Sequence, residues 1–236
     1  MTTLETLPYA DGETTLTGQL ARPAGKPRGA VVVFPTIMNQ AANATRRLPM
    51  LAEAGYLAFL ADFYGREPAD RADAFALGTA LREDVGVYRA RIKAAVDTIA
   101  ALPETQGLPL AAIGYCMGGQ AVLEAARMNL PLVLAASFHG ILTTAAAATE
   151  PIRPRILVCH GDADPMVPRE QISAFQAEMD AAGADWHLHV YSGVKHGFTD
   201  PEADGHGLPA IGYDASADRQ SWAAMLGLLG EVVGDL

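Results

Sequence analysis

The chain has few cysteines, no long uncharged apolar run and no excess of basic residues. Its 236 residues include Cys116 and Cys159 as the only cysteines, too few for a disulfide framework. No window of about 18 apolar residues is free of charges, so no membrane-spanning helix is predicted. The formal net charge is −10, and no basic cluster exceeds the pair Arg46 and Arg47. Nucleic acids and anionic membranes are therefore poor candidates for partners.

Signals for export, metal binding and cofactor binding are also missing. The first ten residues lack the basic start and apolar run of a secretory signal, so we expect a cytoplasmic protein with reduced thiols. No spacing of cysteine and histidine resembles a zinc site, and nothing implies a metal or a cofactor. The length and the hydrophobic share of 50% suit one α/β domain, which we expect to span residues 1–236.

Apolar runs alternate with helix-compatible segments along the chain. The predicted strands span residues 4–9, 14–21, 30–34, 56–61, 132–138, 156–160 and 186–191, with a further strand starting at 110. The predicted helices span residues 43–54, 87–101, 120–128, 168–181 and 217–233. The first two strands predict an antiparallel hairpin that turns at Asp11 and Gly12. The later alternation predicts an α/β fold with a doubly wound, mostly parallel sheet and helices on both faces.

Two long segments give no clear pattern of regular structure. Residues 62–84 are predicted to be irregular or a short helix, and residues 192–218 form a long stretch rich in glycine and proline. Segments of this length are often lids over a site. A surface segment that merely crosses the fold is the equally favoured alternative.

The strongest chemical signal is a turn from a strand into a helix around Cys116. Residues 114–118, Gly-Tyr-Cys-Met-Gly, follow the pattern of a nucleophile elbow, with cysteine where serine is usual. Glycine is needed at both ends of the motif because the strained turn leaves no room for side chains. The thiol would stand at a helix N-terminus, which favours the thiolate, and the Met117 N–H would form half of an oxyanion hole. A buried, inert cysteine in a tight turn is the alternative.

A thiol nucleophile needs a base to take its proton and a third group to orient that base. Asp164 follows one predicted strand and His196 follows the next, which is the chain order expected for this fold. Because functional groups gather beyond the carboxyl ends of parallel strands, we expect Cys116, Asp164 and His196 to meet. Asp162 competes with Asp164, since two carboxylates so close on one loop cannot both face His196.

Other side chains near this edge of the sheet have two interpretations. His139 and His160 each end a strand, a position that is more typical of a structural histidine than of a catalyst. Cys159 lies within a buried strand and is expected to pack there. Tyr115 and Phe198 are candidates for lining the pocket, although aromatic residues beside a sheet usually belong to the core.

These motifs resemble the dienelactone hydrolase family of α/β-hydrolases. The matching segments are residues 114–119, 161–168 and 195–198, with weaker likeness in the hairpin and in residues 34–39 and 55–56. The resemblance implies Cys116 as nucleophile, His196 as base and Asp164 as the orienting acid. It also implies the Ile37 N–H as the second oxyanion donor, beside the Met117 N–H.

One position departs from the family pattern. Thr36 stands where family members that hydrolyse dienelactone have a glutamate, which pairs with the resting thiol and helps to activate it. Threonine supplies no such charge, so we expect ester or lactone hydrolysis without naming dienelactone as the substrate. Thr36 remains a candidate for lining the pocket. The family's substrate-binding arginine would fall in the region of Arg71 and Arg82.

The sequence therefore predicts a hydrolase that cleaves a small ester or lactone through a thioester on Cys116. One alternative is a binding or redox-sensing protein with a hydrolase fold, in which Cys116 oxidises to a sulfenic acid. The ordered triad argues against it, because a sensor has no need of Asp164 and His196. Another alternative is an alcohol or thiol in place of water as the acyl acceptor. The sequence gives no indication of the oligomeric state.

Overall fold

The structure, a computed structural model, describes residues 2–234, in which eight strands form one sheet. The strands are β1 (Leu4–Asp11), β2 (Thr14–Ala21), β3 (Ala30–Phe34), β4 (Leu57–Leu60), β5 (Leu110–Tyr115), β6 (Leu134–Phe138), β7 (Arg155–Gly161) and β8 (Trp186–Tyr191). The helices are α1 (Ala42–Thr45), α2 (Arg47–Glu53), α3 (Arg71–Glu83), α4 (Val85–Ala100), α5 (Met117–Arg127), α6 (Arg169–Ala181) and α7 (Ala215–Val233). Within residues 2–234, no helix is long and apolar enough to cross a membrane.

The sheet has an antiparallel edge and a parallel centre, in the order β1-β2-β4-β3-β5-β6-β7-β8. β1 and β2 form an antiparallel hairpin, and β2 also pairs antiparallel with β4. All the other pairings are parallel. This topology confirms the predicted doubly wound sheet with an N-terminal hairpin. Because parallel strands end at the same edge, the loops after β3, β5, β6, β7 and β8 lie near one another.

The central strands are buried on both faces, as their continuous apolar sequences predict. Every residue of β3 is buried, and its side chains alternate between two separate cores. Val32 and Phe34 pack in the core that includes residues of α4, α5 and α6. Val31 and Val33 pack in the core that includes residues of α2 and α7. The two layers of helices therefore hold the sheet rigidly and leave its carboxyl edge accessible for function.

The segment 62–84 is more regular than the sequence predicts, because it contains the 13-residue helix α3. The side chain of Asp70 caps this helix by accepting a hydrogen bond from the N–H of Asp73 at 2.9 Å. Gly78 lies in the helix interior, where glycine is unfavourable, and this obscured the helical pattern.

Two further helices begin or break at unexpected places. The helix predicted over residues 43–54 is divided at Arg46 into α1 and α2. α5 begins at Met117, directly after the cysteine, and not at residue 120. This earlier start places Cys116 itself at the N-terminal end of the helix.

Candidate active site

Cys116 occupies a strained backbone conformation between β5 and α5. Its φ is +55° and its ψ is −113°, a region that residues with a side chain rarely adopt. A Cβ atom at Gly114 would lie 1.9 Å from the carbonyl oxygen of Gly118, and one at Gly118 would lie 2.1 Å from that of Phe34. Both glycines are therefore required by close backbone approach, as the elbow pattern predicts.

The surroundings of the Cys116 thiol favour its charged form. Burial raises the pKa of the thiol, but His196 and the backbone N–H of Met117 outweigh it and hold the pKa below its ordinary value. The positive charge of Arg82 acts in the same direction. The thiol is half-buried, so it remains accessible to a ligand. A half-buried thiol with a lowered pKa is a candidate nucleophile.

His196 and Asp164 form a buried pair beside Cys116. The Nδ1 of His196 lies 2.7 Å from the Oδ2 of Asp164. Burial lowers the pKa of His196, but the negative charge of the Cys116 thiolate and the hydrogen bond with Asp164 raise it above its ordinary value. The Nε2 of His196 is buried and has no protein hydrogen-bond partner within residues 2–234. His196 and Cys116 still interact, since each shifts the pKa of the other. The arrangement has the form of a thiolate–imidazolium pair oriented by a carboxylate.

The competing carboxylate, Asp162, faces elsewhere. It forms two hydrogen bonds with the guanidinium of Arg169, at 2.9 and 2.8 Å. This ion pair lowers the pKa of Asp162. Asp164 is instead buried, and its other oxygen accepts a hydrogen bond from the N–H of Met166 at 2.8 Å. The structure therefore brings Asp164, and not Asp162, to His196.

The loop after β3 brings Ile37 to the same place. Ile37 and Met117 both line the pocket that contains Cys116. Within residues 2–234, the Ile37 N–H donates no hydrogen bond to another protein group, so it is free to bind a ligand. Thr36 also lines the pocket, but its hydroxyl accepts a hydrogen bond from the N–H of Met38 at 3.1 Å. Thr36 thus stabilises the loop and brings no charge to the thiol.

The pocket has a volume of about 150 Å³. Its lining combines Cys116 and His196 with residues of α3, of the loop after β8 and of other loops: Thr36, Ile37, Met38, Asn43, Arg71, Phe75, Arg82, Cys116, Met117, His139, Ile141, Met166, His196, Gly197, Asp200, Ala203, His206, Leu208 and Ile211. Both of the long segments singled out in the sequence therefore contribute to it. Three of its apolar residues, Phe75, Met166 and Leu208, are exposed at the surface.

Arg71 and Arg82 both line the pocket, in agreement with their region of the sequence. The Nε of Arg82 donates to the carbonyl of Gly78 at 2.9 Å, which holds the guanidinium on α3. Tyr115 and Phe198, in contrast, do not line the pocket. Both are buried in the core, where Tyr115 stacks on Phe138, so their interpretation as pocket residues is corrected.

His139 lines the pocket, although its position at a strand end suggested a structural role. Its Nε2 lies 2.9 Å from the hydroxyl of Thr199, and its ring meets that of His196 edge to face at 5.0 Å between centroids. Burial, together with the charge of His196, holds the pKa of His139 well below its ordinary value. The backbone of His139 has a φ of +40°, a conformation that the sequence alone does not indicate. His139 thus has a structural role and also lines the pocket as a neutral side chain.

The described residues 2–234 contain no group of three or more histidine, cysteine or acidic side chains placed to hold a metal ion. A nucleophile elbow at the carboxyl edge of a doubly wound sheet, with a histidine–acid pair on later loops, defines an α/β-hydrolase. The sequence profile of the dienelactone hydrolase family matches residues 16–233. The chain therefore belongs to the dienelactone hydrolase family.

Similar proteins agree with this assignment. A dienelactone hydrolase-like promiscuous phosphotriesterase from metagenomic libraries has a crystal structure with a TM-score of 0.94, 36% identity and coverage of 99% of each chain. An uncharacterized protein of Caenorhabditis elegans is 36% identical over 62% of this chain and 94% of its own length. A dienelactone hydrolase from Anabaena variabilis, at 21% identity, shares the fold with a TM-score of 0.69, over 98% of this chain and 96% of its own. Family and neighbours together support a hydrolase.

Proposed function

We propose that this chain hydrolyses small carboxylic esters or lactones through a Cys116–His196–Asp164 triad and a thioester intermediate. The observation that supports this most directly is the buried bond of 2.7 Å between His196 and Asp164, next to a thiol whose pKa is lowered. A redox sensor would need the thiol but not the oriented histidine. We place the activity in the cytoplasm, where thiols stay reduced, and in a single domain.

The reaction begins with attack of the Cys116 thiolate on the carbonyl carbon. The carbonyl electrons move to the oxygen, and the N–H groups of Ile37 and Met117 stabilise the resulting oxyanion. Collapse of this intermediate breaks the bond to the alcohol, which takes the proton from the Nε2 of His196. The products of this half-reaction are a free alcohol, a thioester and a neutral imidazole.

Water completes the cycle. Neutral His196 removes a proton from water as the oxygen attacks the thioester carbon, and the same two N–H groups hold the second oxyanion. Collapse then releases the carboxylic acid and the thiolate of Cys116, beside a protonated His196. Asp164 keeps the histidine in the required tautomer throughout. Because a thiolate leaves more readily than an amine, activated esters are better substrates than amides.

The pocket favours a substrate that is partly apolar and carries a polar or negative group. Phe75, Met166 and Leu208 expose apolar surface at its opening, and Arg71 and Arg82 add positive charge. A volume of about 150 Å³ suits a short acyl group next to the thiol. Since Thr36 carries no charge, dienelactone is not the substrate that we propose.

The experiment is hydrolysis of a short p-nitrophenyl ester, with dienelactone and a phosphotriester measured in parallel. The phosphotriester is included because a 36% identical relative is described as a promiscuous phosphotriesterase. We expect ester turnover by the wild-type protein and a loss of at least about 10³-fold in Cys116→Ala. Mass spectrometry after rapid quenching should detect the acyl group on Cys116.

Each other outcome has a distinct meaning. Turnover of dienelactone would show that Thr36 does not exclude this substrate. A wild-type protein that is inert towards all three substrates, while Cys116 reacts rapidly with an alkylating agent, would favour the binding or redox-sensing alternative. Full ester turnover by Cys116→Ala would refute the triad.

A further inference from the structure

Two tyrosine hydroxyls bind the backbone carbonyl groups of Ile37 and Met117, the two residues whose N–H groups are proposed to bind the oxyanion. The hydroxyl of Tyr64 donates a hydrogen bond to the carbonyl of Ile37 at 3.2 Å. The hydroxyl of Tyr88 donates to the carbonyl of Met117 at 2.7 Å, and this bond is buried. The two bonds form a matched pair, one for each oxyanion donor.

Three of these residues, Tyr64, Ile37 and Met117, also converge on Gly78 in the middle of α3. A Cβ atom at Gly78 would lie 3.1 Å from the Tyr64 hydroxyl and from the Ile37 side chain, and 3.2 Å from the sulfur of Met117. Tyr64 also touches that sulfur, at 3.7 Å. Glycine in a helix interior is less favourable than alanine. The crowding gives a physical reason for this cost, because any side chain would press on both oxyanion residues.

Both tyrosines keep their protons at neutral pH. Burial raises the pKa of Tyr64 and that of Tyr88 well above the ordinary value for tyrosine. Each hydroxyl is therefore a permanent donor to a carbonyl and is unsuited to be a proton acceptor in the reaction.

Resting on the proposed function, we propose that Tyr64 and Tyr88 are positioning residues that fix the oxyanion hole by holding the carbonyl groups of Ile37 and Met117. An oxyanion hole stabilises a transition state only if its donors are already aimed before reaction. Ile37 lies in a short turn that the N–H of Asn39 closes by donating to the carbonyl of Thr36 at 3.0 Å, outside any helix or strand. The turn holds the peptide that carries the Ile37 N–H, and the Tyr64 bond holds the next peptide, so the two together restrict movement of that N–H.

The test compares two reactions of the same thiol in Tyr64→Phe and Tyr88→Phe. Ester acylation develops an oxyanion, whereas alkylation by iodoacetamide does not. We expect the ester kcat to fall about 10-fold in each variant, less than the 10²–10³-fold that loss of a donor typically costs. KM should change less than about twofold, and the alkylation rate should stay unchanged, because only the transition state uses the oxyanion hole.

Two further variants separate positioning from general damage. Tyr213→Phe removes a half-buried hydroxyl that does not line the pocket, and it should leave both reactions unchanged. Gly78→Ala keeps both hydroxyls but crowds that of Tyr64 and the side chains of Ile37 and Met117, so the ester kcat should fall while the melting temperature does not. This variant remains informative if Tyr88→Phe fails to fold.

The results distinguish this inference from the function on which it rests. If the wild-type protein turns over the ester and Tyr64→Phe, Tyr88→Phe and Gly78→Ala all keep full kcat, the positioning role is refuted and the hydrolase stands. Equal losses in ester turnover and alkylation would also refute it, since the tyrosines would then act on the thiol itself. A wild-type protein without ester turnover overturns both proposals.

Discussion

The two cysteines of this chain are the same residue in two opposite environments. Burial raises the pKa of both thiols, and in Cys159 only a hydrogen bond with Tyr191 opposes it, so that its pKa reaches about 12. In Cys116 the pKa falls below the ordinary value, because His196 and the Met117 N–H outweigh burial. Cys159 lies within β7, with the buried core on its side of the sheet. Cys116 lies one residue beyond the end of β5, at the start of a helix.

The difference shows that the groups around a thiol, and not residue type alone, set its pKa in this fold. Two histidines at the carboxyl edge of the sheet, with ring centroids 5.0 Å apart, show the same dependence on neighbouring groups. The pKa of His139 is lowered by burial, and that of His196 is raised by its negative neighbours. A partner of opposite charge therefore decides which buried group is charged.

Removal of His196 should reduce the difference in pKa between Cys116 and Cys159. In His196→Ala we expect kcat/KM for the ester to fall by about 10⁴-fold, because the thiol loses both its base and its counter-ion. The lowered pKa means that wild-type Cys116 loses its proton at a lower pH than it would without His196 and the Met117 N–H. In the variant only the Met117 N–H and Arg82 still oppose the effect of burial, so the pH midpoint of Cys116 alkylation should move above that of the wild type.

The control for this prediction is His187→Ala, which removes an exposed histidine of β8. It should leave both the turnover and the alkylation profile as in the wild type. An unchanged alkylation midpoint in His196→Ala would mean that the helix N-terminus alone lowers the pKa of Cys116, contrary to the comparison drawn here.

A smaller effect is expected from the acid that orients the histidine. Asp164→Asn should lower kcat by about 10³-fold, since loss of the acid of a triad costs less than loss of its base or nucleophile. Asp162→Asn is the matched variant on the same loop, and it should change kcat less than about threefold, because Asp162 pairs with Arg169. Steady-state kinetics of the two proteins measures the contrast. Similar losses in both would point to the loop as a whole rather than to one carboxylate.

The sheet was predictable from the sequence because its strands are short, apolar and bounded by turn residues. Strands β2, β3 and β8 begin and end at the predicted residues. The elbow was predictable too, since the strained backbone of Cys116 permits little but glycine at residues 114 and 118. α3 was not, because the demands of the site put Gly78 in its interior and weakened the helical signal.

The sequence could not predict the parts of the site that depend on how residues distant in the chain approach one another in the fold. Asp162 and Asp164 are equivalent in type and differ only in direction, which the turn after β7 decides. The position of His139 in the pocket goes with a backbone φ of +40°, which cannot be predicted from the residue type. The same holds for Tyr64, which is 27 residues from Ile37 in the chain and bonded to it in the fold.

The smallest expected effect on activity is that of changing the second cysteine. Cys159→Ser places a hydroxyl in a fully buried strand, next to Tyr191 as the one polar neighbour that affects its thiol. We expect the free energy of unfolding to fall by about 1 to 3 kcal/mol, the cost of burying a hydroxyl on mutational scales. The ester kcat should stay within about twofold, because Cys159 does not line the pocket.

Urea unfolding measures the change in stability, and steady-state kinetics measures kcat. Alkylation of the native protein should label one thiol in the wild type and in Cys159→Ser but none in Cys116→Ala. A large loss of turnover without loss of stability would mean that the interior of β7 takes part in the chemistry, and the division between the sheet's edge and its core would not hold.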